Sequence, residues 1–362
     1  MPSTVKYASM AYTRYDAQQT LPAKFERILR SGGLGARVKD KSVAIKIHAG
    51  GNLNYSTVPP LFLRIAADFV REAGGRPFFC DHYLHWRNPE RRGYTEEALG
   101  APVLEICGYL GKYYYEKPVQ LHSFRHCDVA GLINDVDFLI DFSHVKGHGC
   151  CGYGGACKNI AMGCVTDRTR GEIHSLEGGI TWDGSKCTHC GACLGACNHF
   201  ANGFDAEGKY EYNMHHCTLC QHCIKVCPTG ALTLSESNYS RFQQGMALCT
   251  KTVLDTFGPG NVYYINLLTQ ITALCDCWGM TTPSLVPDLG LLASDDIVAI
   301  EQASLDLIKF EDLIPAGVPQ GMELGASGHL FERLHGKDPY LQVQYLQEQG
   351  LGSREYTLEA AE

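Results

Sequence analysis

Three observations predict an α/β fold, with a mainly parallel sheet carrying helices on both faces and interrupted by a small α+β two-cluster ferredoxin-like insertion. Short β-rich runs alternate with stretches of helical periodicity on both sides of residues 182–236. One run, VDFLIDF at 136–142, is almost continuously apolar, as a strand covered on both faces should be. Between 182 and 236 the alternation gives way to eight cysteines in two runs of identical spacing. The expected division is residues 1–181 and 237–362 as two parts of one α/β domain, with 182–236 inserted between them.

Taken in order, residues 43–47 read as a strand and 58–73 as a helix. Residues 77–80 read as a second strand and 95–107 as a helix. The run 136–142 is the central strand. Beyond the insertion, 239–257 reads as helix, 261–268 as strand and 295–310 as helix, with Ser294 as its N-cap.

A net charge of −8 argues against a generic binder of nucleic acid or anionic membrane, which would be basic. No apolar run approaches the roughly 18–20 residues that span a bilayer. The first thirty residues mix charges with apolar side chains and show no signal-peptide core, so a cytoplasmic protein without nucleic-acid or membrane partners is expected. In such a protein, closely spaced cysteines bind metal or do chemistry more often than they form disulfides.

The chain has eighteen cysteines, and spacing sorts them. Cys187, Cys190, Cys193 and Cys197 read C-x2-C-x2-C-x3-C, and Cys217, Cys220, Cys223 and Cys227 repeat it thirty positions on, followed by Pro228. In this spacing three thiolates grip one iron–sulfur cube while the fourth reaches the neighbouring cube. The crossed rule gives one [4Fe–4S] cluster to Cys187, Cys190, Cys193 and Cys227, and the other to Cys217, Cys220, Cys223 and Cys197. Zinc knuckles are the competing reading, but zinc prefers two separated pairs to two compact runs of four. Asn198 replaces the proline that often follows the fourth cysteine. His189, His199, His215, His216 and His222 crowd the module, where N–H groups near sulfur would tune the clusters.

Ligands of open α/β sheets sit beyond the carboxyl ends of the strands. Three predicted strands there lead into polar residues: His48, then Asp81 with His82, then His144, Lys146 and His148. The following stretch, HGCCGYGGACKNIAMGC at 148–164, places Gly154 and Gly155 before Lys158 and Asn159. A glycine-rich turn opening a helix can cradle an anion, although neither the Walker spacing nor the dinucleotide fingerprint is present. Lys146, His148, Asp81 and His48 are therefore the candidate catalytic residues. Lys158, Asn159, Gly154, Gly155 and His174 are the candidate substrate-binding residues. Cys150, Cys151, Cys157, Cys164, Cys275 and Cys277 raise the question of a third metal, while Cys80, Cys107, Cys127 and Cys249 read as core.

These stretches resemble the iron–sulfur-centre proteins of the family called domain of unknown function 362. The resemblance is carried by IKIH at 45–48, REAGGRPFFCD at 71–81, KGH at 146–148 and GYGGACKNIAMGC at 152–164. GEIH at 171–174, the two cysteine runs and DLGLLASDDIVAIEQASLDL at 288–307 complete it. It implies one α/β domain with an inserted two-cluster ferredoxin module and no agreed reaction. Cys150–Cys151 and Glu301 depart from the family pattern.

The expected function is an iron–sulfur oxidoreductase passing electrons from a soluble donor such as a ferredoxin, through two [4Fe–4S] clusters, to a small anionic substrate or bound cofactor. Whether a flavin or a third metal sits between clusters and pocket stays open at this point. Exposed low-potential cubes are oxygen-labile, so an anaerobic host is expected. The competing reading is a non-catalytic electron-transfer subunit or assembly factor docking on a larger enzyme. About three hundred residues beyond the cysteine module favour the enzyme.

Overall fold

The computed structural model describes residues 2–51, 54–82, 84, 88–197, 200–213, 217, 221–235, 239–320 and 322–361. Its centre is an eight-stranded sheet. In spatial order the strands are Tyr356–Ala360, Ser3–Ser9, Gly290–Ser294, Val262–Leu268, Phe138–His144, Ser42–Lys46, Arg76–Asp81 and Val103–Glu105. Gly290–Ser294 runs antiparallel to both neighbours, and the other pairings are parallel. Five strands precede the cysteine runs and three follow them.

The alternating pleat divides the strand residues between two cores. Val43, Ile45, Phe138, Ile140 and Phe142 pack with the helices Leu21–Arg30 and Pro60–Glu72. Ala44, Leu139 and Leu292 face the other way, toward Ala156–Gly163, Tyr239–Leu254 and Ile297–Leu307. Both faces are thus covered by helices, which explains why the central strands are apolar on both sides. The second face also carries buried polar residues. Lys46 and Asp141 are register partners there, and Ser143 pairs with Asn266.

Two local expectations need correction. Residues 95–107 do not form one helix. A short helix, Glu96–Leu99, stops at Gly100 in the left-handed region (φ 72°), and Val103–Glu105 becomes the edge strand. The helix expected from 295 begins at Ile297, and its cap is Asp296, which accepts the amides of Val298 and Ala299. Ser294 instead donates to the carbonyl of Thr4 in the neighbouring strand.

The cysteine runs lie in a small α+β unit. Ile180–Trp182 pairs antiparallel with Leu232–Leu234, and Asn202–Phe204 with Tyr210–Tyr212. Its two short helices, Ala192–Gly195 and His222–Lys225, stand thirty positions apart, like the cysteines. Each is entered through a left-handed residue, Gly191 (φ 74°) and Gln221 (φ 66°), so the sequence repeat is also a backbone repeat. No helix among the described residues is long and apolar enough to cross a membrane.

Candidate functional site

The pocket is built on the carboxyl ends of the central strands. Lys46, the last residue of its strand, is wholly buried, a signal legible only as a lysine interrupting an apolar run. Its Nζ lies 2.9 Å from Asp81 Oδ1 and 2.7 Å from Asn159 Oδ1, and also donates to the Ile47 carbonyl. Asn159 donates to Asp141 Oδ1 at 2.8 Å. The other Asp81 oxygen accepts the Ala49 amide at 2.8 Å and lies 3.7 Å from His48 Nδ1. Burial pushes the Asp141 carboxyl up to about 8, against the pull of the Ser143 hydroxyl and Lys46. Gly163 is required here, because a Cβ would run into the Lys46 ammonium.

A second network lies across the pocket. His144 places Nδ1 2.8 Å from Asp276 Oδ2 and Nε2 2.8 Å from the Thr269 carbonyl. Lys146 Nζ is 3.2 Å from Asp276 Oδ2 and donates to the His144 carbonyl at 2.6 Å. Asn54 and Ser56 donate to Asp276 Oδ1, each at 2.9 Å. Burial opposes ionisation of Asp276, but His144 and Lys146 overcome it and hold the carboxyl well below the usual carboxylate range.

Between these networks lies a cavity of about 80 Å³. It is lined by all four candidate catalytic residues (Lys146, His148, Asp81, His48) and all five candidate substrate-binding residues (Lys158, Asn159, Gly154, Gly155, His174). The lining is completed by His144, expected at a strand end, by Cys277, raised as a ligand of a third metal, and by Met162, Gly163 and Arg170, to which sequence reasoning gave no role. Asp81 is paired with Lys46, and Asp276 with His144 and Lys146. Arg170 lies 3.6 Å from the exposed Asp167, which offsets part of its charge, and Lys158 adds an ammonium to this wall, so the cavity favours an anion.

The contacts refine three of the expected roles. Asp81 has an ammonium on one oxygen and an amide on the other, an arrangement suited to holding Lys46 rather than to taking a proton. Asn159 spends its side chain on Lys46 and Asp141. The first amides of the Ala156–Gly163 helix, read as an anion cradle, already hold a carboxyl group supplied by the chain, one whose pKa burial raises. Glu301 Oε1 accepts Ala156 N–H at 2.8 Å and Oε2 accepts Cys157 N–H at 3.3 Å. Tyr153 Oη and Asn266 Nδ2 also donate to this carboxylate. Gly155 is required for that approach, since a Cβ would meet Glu301. The glycines thus admit a carboxylate from a distant helix, which no short motif reveals.

Thiols gather at the pocket's inner wall. Lys158 Nζ lies 3.5 Å from Cys275 Sγ, and His148 Nδ1 lies 3.2 Å from Cys151 Sγ and 3.1 Å from the Cys150 amide. Burial works against the Lys158 ammonium, but the Cys275, Cys277 and Cys151 sulfurs raise its pKa. Two groups have ligand atoms all within 4.8 Å of one another: His148 with Cys275 and Cys277, and Cys150 with His174 and Glu177. Burial pushes the Glu177 carboxyl up to about 7, although Lys337 and Cys150 oppose the rise. Cys157 and Cys164 belong to neither group; Cys157 lies 3.5 Å from the Thr250 hydroxyl. Cys80, Cys107, Cys127 and Cys249 are buried, the last two with sulfurs 3.6 Å apart.

In the cysteine unit, Cys187, Cys190, Cys193 and Cys227 line one small cavity with Trp182, Phe204, Tyr210 and Leu232. Four thiols and no carboxylate in an apolar wall suit a group held by thiolates. Slight burial raises the Cys227 thiol, but the backbone at Leu232 and the Thr229 side chain and backbone lower it below its usual range. Of the second set, Cys217 and Cys223 are buried and Cys197 is half-buried. Cys197 Sγ accepts the Ala201 amide at 3.2 Å. Cys220, Asn198, His199, His215 and His216 lie outside the described residues. Among the remaining histidines, His189 meets Phe204 in a tilted contact, with centroids 5.0 Å apart. Cys150 joins the two regions, its Sγ 3.6 Å from the Cys217 carbonyl.

Two proteins named Uncharacterized ferredoxin-like protein YdhX, from Escherichia coli K12 and O157:H7, are each 30% identical to this chain over 112 residues. The match covers 26% of this chain and 50% of each relative, so the chain spans about half the length of these curated relatives. A protein of Nitratidesulfovibrio vulgaris Hildenborough is 30% identical over 66 residues, 16% of this chain and 18% of that protein. Among solved structures, the lactate racemase apoprotein from Thermoanaerobacterium thermosaccharolyticum aligns with a TM-score of 0.38 and 10% identity, over 74% of this chain and 51% of that one. The model of the family described as Domain of unknown function (DUF362) matches residues 43–306, most of the chain, and the chain belongs to that family.

Proposed function

We propose that the chain is a cytoplasmic iron–sulfur oxidoreductase acting on a small anionic ligand in the cavity between Lys146 and Lys158. The observation that carries this reading is the convergence of nine polar and glycine residues, from three strand ends and the segments after them, on one cavity whose neighbouring carboxylates are internally paired. Cys187, Cys190, Cys193 and Cys227 would hold one [4Fe–4S] cluster, and Cys217, Cys220, Cys223 and Cys197 the other. Bound there, the clusters would supply one-electron chemistry at low potential, drawn from a soluble donor of the ferredoxin class. The ferredoxin-like name of the relatives supports this part of the reading.

The chain's own residues supply the rest. Lys158 and Arg170 attract the ligand, and Lys146 adds positive charge beside Asp276. His48 and His148 line the cavity, and His48, 3.7 Å from Asp81, is the imidazole placed to pass a proton to the ligand. Lys46 and Asp81 hold the wall rigid. A volume of about 80 Å³ is far below the roughly 300–1,000 Å³ of pockets for drug-sized ligands. The ligand is therefore expected to have only a few non-hydrogen atoms, and a flavin does not suit this cavity.

The test is reoxidation of dithionite-reduced protein, followed by absorbance, with a panel of small carboxylates and oxyanions. Reoxidation by one of them, slowed in Lys158→Gln and Arg170→Gln, is the expected result. Reoxidation at the same rate in both variants would remove the cavity from the reaction.

A further inference from the structure

We infer that His148, Cys275 and Cys277 bind a single thiophilic divalent transition-metal ion at the inner wall of the pocket. The segment Cys275–Asp276–Cys277 carries two of the three donors. Asp276 is wholly buried and held by His144, Lys146, Asn54 and Ser56, and this clamp fixes the backbone between the two cysteines. Cys275 opens the short 3-10 helix Asp276–Trp278, and Cys277 sits within it. The two sulfurs and a His148 ring nitrogen all lie within 4.8 Å of one another. Donors on one tetrahedral ion with bonds of about 2.0–2.3 Å sit about 3.5–3.8 Å apart, so small side-chain movements close the site.

The donor set identifies the class of ion. Two thiolates and one imidazole suit zinc and other borderline or soft ions, not calcium or magnesium. Three protein ligands leave a fourth position, the arrangement of catalytic rather than structural zinc. His148 and Cys277 both line the cavity, so that position faces the ligand space.

Charge and outer contacts agree. Two thiolates balance a divalent ion, and the Lys158 ammonium, 3.5 Å from Cys275 Sγ, becomes an N–H donor to a bound thiolate. Cys150 N–H donates to His148 Nδ1 at 3.1 Å, so an ion on Nε2 requires the ring to switch to its Nδ1–H tautomer, for which Cys151 Sγ, 3.2 Å away, is the acceptor in place of that amide. The flanking lysines then favour an anionic ligand at the fourth position. The second triad, Cys150 with His174 and Glu177, offers one thiol and a carboxylate in place of two thiols, a donor set less selective for a thiophilic ion.

This inference adds a metal to the pocket proposed above but does not depend on the clusters, and its test reads the two separately. Anaerobically purified protein would be dialysed against Zn²⁺ buffered by a competing chelator, then assayed for zinc, iron and sulfide. One zinc per chain with unchanged iron is expected. Cys277→Ser and His148→Ala should each weaken zinc binding by at least the roughly 10–100-fold that loss of an outer partner costs, while Cys127→Ala keeps it. X-ray absorption at the zinc edge should show two sulfur and one nitrogen ligands from the chain. Zinc taken up only as iron is lost, or held equally by Cys277→Ser, would overturn the site. Absent iron and sulfide would instead sink the cluster reading, and the loss of one zinc in Cys277→Ser relative to the native chain would then still report the pocket site.

Discussion

The cysteine unit and the pocket are assembled on opposite plans. Each cysteine run spans only eleven residues, 187–197 and 217–227, and short helices repeat with the same offset as the thiols. The pocket draws its wall from positions between His48 and Cys277, brought together by the sheet ends, by two helices packed at them and by a chain of buried charges. A local motif carries its chemistry in its spacing. A pocket of this kind carries it in the fold, and its polar residues divide into those that hold the wall and those that face the ligand.

This difference predicts where damage spreads. Cys190→Ala should have the largest effect, costing about four irons per chain and destabilising the cysteine unit, since metal binding is folding energy in such units. Iron analysis and limited proteolysis would check it, with the α/β domain remaining folded. Lys46→Met should act on the α/β domain alone. It leaves Asp81 buried without its ammonium and should cost about 3–5 kcal/mol, read by denaturant unfolding with the iron content of the native protein unchanged. Iron lost in parallel with stability would break the separation between the two regions.

Smaller effects sharpen the division within the pocket. Lys158→Gln removes a charged donor from the wall and should weaken binding of a small anion by about tenfold or more, with little change in stability. Isothermal titration with the oxyanion that reoxidises the protein would measure it. The smallest effect concerns Glu177, whose carboxyl burial raises from 4.5 to about 7. The folded chain then binds more protons than the unfolded one between these values. The stability this group contributes is present below about pH 4.5 and is lost as pH rises through about 7. Thermal scans of the holoprotein should show melting temperature falling less steeply from pH 5 to 8 in Glu177→Gln than in the native chain.

The parts of this organisation legible in the sequence follow the same contrast. The apolar run at 136–142 announced a central strand, and Phe138–His144 occupies the middle of the sheet. His48, Asp81 and Lys146 were legible because polar residues at strand ends are visible one strand at a time. Glu301 was not, because its partners Ala156 and Cys157 lie some 145 positions away and the glycines suggested an external anion instead. Lys46 was hidden for a related reason: only the register with Asp141 and the approach of Gly163 show why a buried lysine belongs there. The edge strand Tyr356–Ala360 and its neighbour Ser3–Ser9 went unread, since they lack a strongly apolar run and pair with each other from opposite ends of the chain.

The most direct test of the central claim is iron and acid-labile sulfide per chain after anaerobic purification, with total metal analysis on the same sample. The account predicts about eight irons and eight sulfides, with one further thiophilic ion once the pocket site is filled. Zinc in both cysteine runs, with negligible sulfide, would contradict it and make the unit a structural element rather than a redox one.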